Sequence, residues 1–96
     1  MTDSTKVVFR KFQGEIVALF PEEPGTYDPA TCSSYAQIGQ HSVANYYDVI
    51  VRSSAATDAE ASQLKAELQN LGYKLEVFRR SPSNAYQTRK AKIRAM

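Results

Sequence analysis

Two apolar runs on either side of a Gln13-Gly14 pair constrain the fold of this 96-residue chain more than any other feature. The runs KVVFRKF and EIVALF have the length of strands, and glycine adopts the positive φ of a tight hairpin turn at little cost. They predict strands at about residues 6–12 and 15–20. Because each strand has apolar side chains on both faces, the hairpin fits either a central place in a sheet or a sheet whose second face meets a partner.

Three further strands are predicted from apolar periodicity. The first covers residues 34–38 and ends at Gly39. YYDVIVRS, residues 46–53, alternates with period two and predicts the next strand, with GQHSVAN turning the chain before it. YKLEVF, residues 73–78, has the same period and predicts the last strand. Between the hairpin and these strands, the proline-rich residues 21–30 predict an ordered surface loop.

The clearest helix signal lies just before the last strand. Thr57 and Glu60 have the spacing of a capping box, in which the threonine hydroxyl and the glutamate carboxylate each accept from a backbone N–H at the helix start. Apolar residues follow with spacings of three, four and three, and Gly72 stands at the expected stop. A helix from Thr57 to Leu71 is therefore expected to pack on the sheet through Ala61, Leu64, Leu68 and Leu71.

The C-terminal segment differs from the rest of the chain in charge. Residues 1–77 carry six basic and ten acidic side chains, whereas residues 78–96 carry six basic side chains and no acidic one. Ser81-Pro82 suits a helix N-cap followed by proline at the first helical position. The predicted helix has a narrow apolar stripe, through which it is expected to dock, fray or fold on a partner, formed by Tyr86, Ile93 and Met96.

Together these elements predict an α+β fold in the order β-β-β-β-α-β-α. The expected architecture is a mainly antiparallel sheet of four or five strands, with one helix across a face and a basic C-terminal helix. The chain has the size of one small domain. We expect residues 1–80 to form the compact domain and residues 81–96 to form a basic helical tail.

Composition argues against several classes of protein. One cysteine excludes an intramolecular disulfide and indicates a reducing compartment, and with one histidine it leaves too few ligands for a structural zinc site. The four glycines are dispersed and form no phosphate-binding or dinucleotide-binding motif, so no cofactor is predicted. No apolar run is long enough to cross a bilayer, and the N-terminus lacks the features of a signal peptide. A soluble cytoplasmic protein without membrane contact is expected.

The segment TCSSYAQIGQHSVANYYD, residues 31–48, concentrates the residues that attract a functional interpretation. Cys32 and His41 are the nucleophile and base that an enzyme would use. Their spacing fixes no geometry and no catalytic motif accompanies them, so catalysis is the weaker hypothesis. Tyrosine is favoured at protein interfaces because its ring is apolar and its hydroxyl is polar. The segment therefore predicts an interaction surface at Tyr35, His41, Tyr46 and Tyr47.

The basic C-terminal segment raises a second hypothesis, contact with nucleic acid. Lysine and arginine side chains on a short helix suit phosphate backbones, with an affinity that falls as salt rises. A solvated terminal helix, or one that lies against an acidic surface of its own or a second subunit, explains the same charges. The candidate residues are Arg79, Arg80, Arg89, Lys90, Lys92 and Arg94.

Four sequence blocks, VVFRKFQGEIVALFPEEP, SYAQIGQHS, VIVRSSAATDAE and LKAELQNLGYKLEV, resemble a family of small uncharacterised bacterial proteins that also occurs among phage and mobile-element genes. The resemblance covers most of the chain from Val7 to about Arg80. It departs at the helix start, where this chain has AATDAE and the family has PATPEE. The resemblance implies one compact domain of prokaryotic or phage origin and transfers no catalytic residue.

The leading hypothesis from the sequence is a non-enzymatic interaction protein, such as an accessory protein of a phage or mobile element. It is expected to bind a protein partner, or a second copy of itself, through the second sheet face and residues 35–47. A nucleic-acid-binding protein is the alternative, and a small enzyme centred on His41 and Cys32 is the second alternative.

Overall fold

A computed structural model describes residues 4–36, 40–80 and 84–95 of the chain. These residues form one sheet with helices on both of its faces. In chain order the elements are β1 (Thr5–Phe12), β2 (Glu15–Pro24), β3 (Thr31–Ala36), β4 (Gln40–Asn45), α1 (Tyr46–Arg52), β5 (Ser54–Ala55), α2 (Asp58–Asn70), β6 (Leu75–Phe78) and α3 (Ala85–Ala95).

The sheet has the strand order β4-β3-β2-β1-β5, with antiparallel pairing throughout. Strand β6 pairs parallel with the first half of β1, and β5 pairs with the second half on the same side. The predicted α+β fold with a mainly antiparallel sheet and a C-terminal helix is therefore confirmed. The strand expected at 34–38 begins earlier, at Thr31, and its expected last two residues lie outside the described residues.

The predicted hairpin is confirmed and lies at the centre of the sheet. Gln13 and Gly14 have φ values of 53° and 80°, and two positive φ angles are what a type I′ turn requires. Strand β2 is longer than expected: it continues to Pro24, into the segment predicted as a loop, and its pairing with β3 shifts between Phe20 and Pro24.

Helix α2 covers one face of the sheet, which we call the α2 face. Its capping box is formed as predicted: Thr57 Oγ1 accepts from the Glu60 N–H at 3.1 Å, and the Glu60 carboxylate accepts from the Thr57 N–H at 3.0 Å. Leu71 is the exception to the predicted stripe, because the helix ends at Asn70 and Leu71 is 56% exposed. The buried residues of this face are Val7, Phe9, Ala18, Phe20, Tyr35, Ala61, Leu64 and Leu68.

Helices α1 and α3 cover the opposite face, which we call the α3 face. Val8, Leu19 and Cys32 are fully buried there, packed against partly buried side chains of α1, β4 and β6. Helix α3 packs against β2 and buries Ala85 and Arg89. The second apolar face is thus closed by the chain's own helices, which corrects the expectation that it meets a partner.

The strand predicted in YYDVIVRS is wrong, since Tyr46–Arg52 is helix α1, and the turn predicted in GQHSVAN is wrong, since Gln40–Asn45 is strand β4. Asn45 begins the helix, because its side chain accepts from the Asp48 N–H at 2.9 Å. Asp48 also pairs with Arg52 one turn later, at 3.1 Å. The residues that α1 packs on the sheet are Tyr46, Val49 and Ile50, which follow helical spacing.

Helix α3 starts at Ala85, and the predicted Ser81-Pro82 cap lies outside the described residues. Of its predicted apolar stripe, Tyr86 is 47% exposed, Ile93 is partly buried, and Met96 lies outside the described residues. Ala85 and Arg89 are the buried residues of the helix, so a small side chain and a long cation make much of its contact with the sheet.

Candidate functional site

Strand β4 forms one edge of the sheet, and within residues 4–36, 40–80 and 84–95 no strand pairs with its outer side. The Tyr46 N–H donates to the Ala30 carbonyl at 3.1 Å, in register with the β3–β4 pairing. Hydrogen-bonded pairs alternate along an antiparallel ladder. The even-numbered residues of β4 therefore bond to β3, and the backbone N–H and carbonyl groups of His41 and Val43 are directed outward, as is the Asn45 N–H. The Asn45 carbonyl belongs to the first turn of α1, because Asn45 is the N-cap of that helix.

This edge lacks the protection that natural edge strands commonly carry. Charged residues, prolines and very short lengths discourage pairing with other chains. β4 has six residues, QHSVAN, without a charge or a proline, and the central Val43 is 47% exposed. The opposite side of the sheet ends in strands of two and four residues, so β4 is the longer edge.

A groove adjoins β4 on the α2 face, and we call it the His41 groove. His41 Nε2 lies 3.0 Å from the Tyr73 hydroxyl oxygen, and the imidazole ring meets Tyr35 edge-on at 4.7 Å between centroids. Tyr73 in turn stacks on Phe20, with centroids 5.5 Å apart and planes 12° apart. The cavity beside this row has a volume of about 290 Å³ and is lined by Thr5, Phe20, Glu23, Ser33, His41 and Tyr73.

The end of α2 places Tyr73 in this groove. Gly72 has a φ of 105°, and the Tyr73 N–H donates back to the Leu68 carbonyl at 3.2 Å, which turns the chain toward β4. A second depression, of about 340 Å³, is lined by Leu71 and Gly72 together with His41 and Tyr73. The His41 groove therefore offers an aromatic floor, an exposed leucine and several polar groups close to the outward backbone of β4.

A larger cavity, of about 370 Å³, lies between α2 and β6 on the same face. Its floor includes Phe9 and Ala61, and the polar side chains at its rim, such as Asp58 and Lys65, come from α2. Its lining includes none of the candidate interaction, catalytic or basic residues from the sequence, and it lies beside β6 and not beside β4. We therefore take the β4 edge and the His41 groove as the candidate site.

The predicted interaction residues separate into different places. Tyr35 is 1% exposed and its hydroxyl donates to the Glu67 carboxylate, so it supports the groove from within and has no surface for a partner. Tyr46 is partly buried on the α3 face, with the Arg89 guanidinium 5.5 Å from its ring. Tyr47 is 78% exposed on α1. Only His41 lies in the candidate site with its side chain exposed.

Cys32 and His41 do not form a catalytic pair. Cys32 is buried on the α3 face, while His41 lies opposite Tyr35 on the α2 face, so the sheet separates the two side chains. Burial raises the pKa of the Cys32 thiol to about 11, and the nearby positive charge of Arg89 offsets only part of this rise. The thiol is therefore protonated at neutral pH. In the described part of the chain, no three His, Cys, Asp or Glu side chains cluster in a way that suits a metal ion.

The six basic candidates also differ from one another. Arg89 is 4% exposed, and its guanidinium donates to the backbone carbonyls of Pro21 and Pro29, so it has no surface to offer a phosphate. Lys92 pairs with Glu23, near the end of β2, at 2.8 Å. The cations that make no ion pair within the described residues are Arg79, Arg80, Lys90 and Arg94.

Sequence reasoning missed Phe20, Ser33, Val43 and Tyr73 as site residues. The only signal for any of them was local: Tyr73 follows the glycine that ends α2. Their approach to His41 depends on how α2, β2 and β4 pack, and the pattern of one segment does not contain that information.

No protein-family model, curated protein or solved structure matches this chain. None of the helices in residues 4–36, 40–80 and 84–95 is long and apolar enough to cross a membrane. The resemblance to a family of bacterial and phage proteins stays a prediction, and any functional conclusion depends on the geometry of the chain itself.

Proposed function

We propose that this protein is a non-catalytic interaction module that binds an extended polypeptide segment along the outer edge of β4. One observation carries the proposal: β4 is an uncharged six-residue edge whose outward N–H and carbonyl groups at His41 and Val43, and outward N–H at Asn45, have no partner strand among the described residues. An added strand would satisfy these groups by backbone pairing, which is the way sheet edges capture extended peptides.

The His41 groove gives this binding mode a means of selection. Side chains alternate between the two faces of a strand, so every second side chain of an added strand faces the α2 face. His41 and Val43 lie on that face next to the groove. Phe20 and Tyr73 supply apolar and aromatic surface there, and Ser33 and the His41 imidazole supply polar contacts. The groove thus favours a partner segment with an apolar or aromatic residue at an alternate position.

The same observations support binding over catalysis. The Cys32 thiol is protonated and lies across the sheet from His41. His41 contacts Tyr35 and Tyr73, which hold its ring in place beside the β4 edge. We keep a cytoplasmic location and a role as an accessory protein of a phage or mobile element as parts of this proposal, since one buried, unpaired cysteine suits a reducing compartment.

Nucleic-acid binding through the C-terminal segment is the alternative. Its basis is reduced to Arg79, Arg80, Lys90 and Arg94, because Arg89 is internal and Lys92 is paired. This alternative predicts binding to generic DNA or RNA that weakens steeply with salt. The β4 proposal predicts binding that salt affects little, because β4 carries no charge.

The proposal is tested by selecting displayed random peptides on the full chain, with Val43→Pro and Val43→Thr as a matched pair. Proline removes the outward N–H at the centre of the edge and leaves the bonds to β3 in place, whereas threonine keeps the N–H and the β-branched shape. We expect enriched peptides to bind wild type and Val43→Thr and to lose at least tenfold in affinity for Val43→Pro, with shifts at the amide resonances of His41, Val43 and Asn45. Equal binding to all three proteins, or shifts confined to α3, would contradict the proposal.

A further inference from the structure

We propose that the segment bound by β4 is the β4 strand of a second copy of this chain, paired antiparallel about a twofold axis at Val43. The inference rests on the proposed function, because it names the occupant of the same edge. It makes the protein a dimer with one continuous sheet through both copies.

Charge is the first support for a second copy as the occupant. A twofold interface repeats every contact, so a strand that pairs with its own copy must not bring like charges together. The strand QHSVAN contains no charged residue, which satisfies this condition in every antiparallel register. The other edge does not satisfy it as well, because β6 contains Glu76 and is flanked by Lys74, Arg79 and Arg80.

The outward backbone groups restrict the register. They belong to His41, Val43 and Asn45, and Val43 is the middle one of the three. An axis at Val43 places this residue opposite its own copy and places His41 opposite the second copy's Asn45. The Val43 pair then exchanges two backbone hydrogen bonds, and each His41–Asn45 pair forms one, from the Asn45 N–H to the His41 carbonyl, about four in total. An axis at Ser42 allows the same number of bonds but separates the two Val43 side chains, and an axis at His41, Ala44 or Asn45 allows fewer.

The side chains agree with this register. Val43 is the exposed apolar residue of β4, at 47%, and the axis brings the two Val43 side chains together on the α2 face. Pairing would therefore remove both the unprotected backbone and the exposed valine of this edge from solvent. The two His41 grooves would lie on the same side of the continuous sheet, one on each side of the valine pair.

Sedimentation of the full chain over a wide concentration range tests the dimer. We expect wild type and Val43→Thr to dimerise and Val43→Pro to sediment as a monomer with an unchanged circular dichroism spectrum. Ionic strength should shift the dimer equilibrium little, because no charge lies on β4. A wild-type chain that stays monomeric at all concentrations would overturn the inference.

Single cysteines then test the register, since the natural Cys32 is buried. Residues opposite each other in hydrogen-bonded pairs have Cα atoms about 5.5 Å apart, which a disulfide can span. We expect Val43→Cys to form a cross-linked dimer on mild oxidation. Ser42→Cys alone should not cross-link, because residue 42 faces residue 44 of the second copy, whereas a mixture of Ser42→Cys and Ala44→Cys should. Cross-linking of Ser42→Cys alone as fast as Val43→Cys would exclude the register.

The two proposals fail in distinguishable ways. A monomeric protein that binds selected peptides, and loses them in Val43→Pro, would refute self-pairing and keep the proposed function. A monomer that binds no peptide at β4 would refute both. A dimer that persists unchanged in Val43→Pro would show that the copies meet elsewhere and would refute the inference on β4.

Discussion

At the scale of single residues, Arg89 ties three parts of the chain together. Its guanidinium donates to the Pro21 carbonyl of β2 and, at 2.8 Å, to the Pro29 carbonyl of the following loop. Its charge also lies 5.5 Å from the ring of Tyr46 and 5.7 Å from the ring of Tyr86. Because the cation satisfies carbonyls where the β2–β3 pairing is irregular, it fixes α3 on the sheet.

Replacing Arg89 with alanine is therefore expected to lower the free energy of unfolding by about 2–4 kcal/mol, since buried carbonyls lose their donors. Arg94→Ala is the matched control on the same helix, and its exposed side chain should change this free energy by less than about 0.5 kcal/mol. Urea denaturation followed by circular dichroism measures both. Equal effects of the two substitutions would contradict the internal role of Arg89.

Cys32 gives a prediction for alkaline pH. Its thiol has a pKa of about 11 in the folded protein because burial disfavours the thiolate, and the ordinary value in an unfolded chain is about 8.5. The unfolded state therefore loses this proton first as pH rises. The contribution to stability is complete below the ordinary value and is lost as pH rises toward 11, amounting to about 3 kcal/mol.

The difference in unfolding free energy between wild type and Cys32→Ala, followed from pH 7 to pH 11, isolates this contribution, because the other ionisable groups are common to both proteins. We expect wild type to lose its advantage over the variant as pH rises. A difference that does not depend on pH would show that the thiol ionises equally in both states.

At the scale of secondary structure, the capping box is the feature most open to a local test. The backbone N–H of Thr57, with help from Lys11, holds the pKa of Glu60 below its usual range. The stabilisation of the folded state by the ionised Glu60 carboxylate is therefore present at neutral pH and is lost as pH falls through the lowered pKa. Thr57→Ala removes the other half of the box and is expected to cost about 1 kcal/mol of unfolding free energy. Ser62→Ala, an exposed change within the same helix, should be neutral or slightly stabilising. Thermal unfolding at neutral pH compares them.

The capped helix and the β1–β2 hairpin were predictable because each is specified by neighbours in sequence. Helix α1 was not, because in seven residues Tyr47, Val49 and Val51 fit a strand while Tyr46, Val49 and Ile50 fit a helix. Asn45 decides between them by capping the first turn, and the packing of Tyr46 and Ile50 on the α3 face supplies the burial. Once this segment is helical, the fourth strand has to come from residues before it.

The candidate site was predictable only in part, because its contacts join residues that are distant in sequence. His41 stood out as the one histidine of the chain, but its contacts with Tyr35 and Tyr73 join residues from three separate elements. Arg89 is a residue whose sequence context predicts the wrong environment. It lies in a basic, polar segment, which predicts solvent exposure, but in the folded chain it is buried against the sheet, where an apolar side chain would be expected.

At the scale of the whole molecule, the sheet is enclosed on both faces, and the C-terminal helix supplies part of the enclosure. Helix α3 packs on β2 and carries Arg89, while Lys92 reaches Glu23 near the end of the same strand. The segment that is basic in sequence is thus also a structural element of the fold. Its remaining surface charges, at Lys90 and Arg94, are available to an anionic partner without disturbing these contacts.

A chain that ends at Arg80 is therefore expected to lose more than a charged tail. Without α3, strand β2 loses the helix packed on it, Cys32 loses its neighbour Arg89, and the Pro21 and Pro29 carbonyls lose their donor. We expect this chain to bind a hydrophobic dye, to unfold at lower urea, and to react at Cys32 with a thiol reagent that the full chain resists.

The matched control is the full chain with Lys90→Gln and Arg94→Gln, which removes surface charge and keeps the packing of α3. It should retain the unfolding midpoint and the protection of Cys32, so a loss of stability in the shortened chain reports lost packing and not lost charge. A chain ending at Arg80 that stays as stable as the full chain, with Cys32 still protected, would mean that residues 1–80 fold alone. The basic helix would then be free to leave the sheet, and nucleic-acid binding by all six cations, Arg89 included, would become the stronger hypothesis.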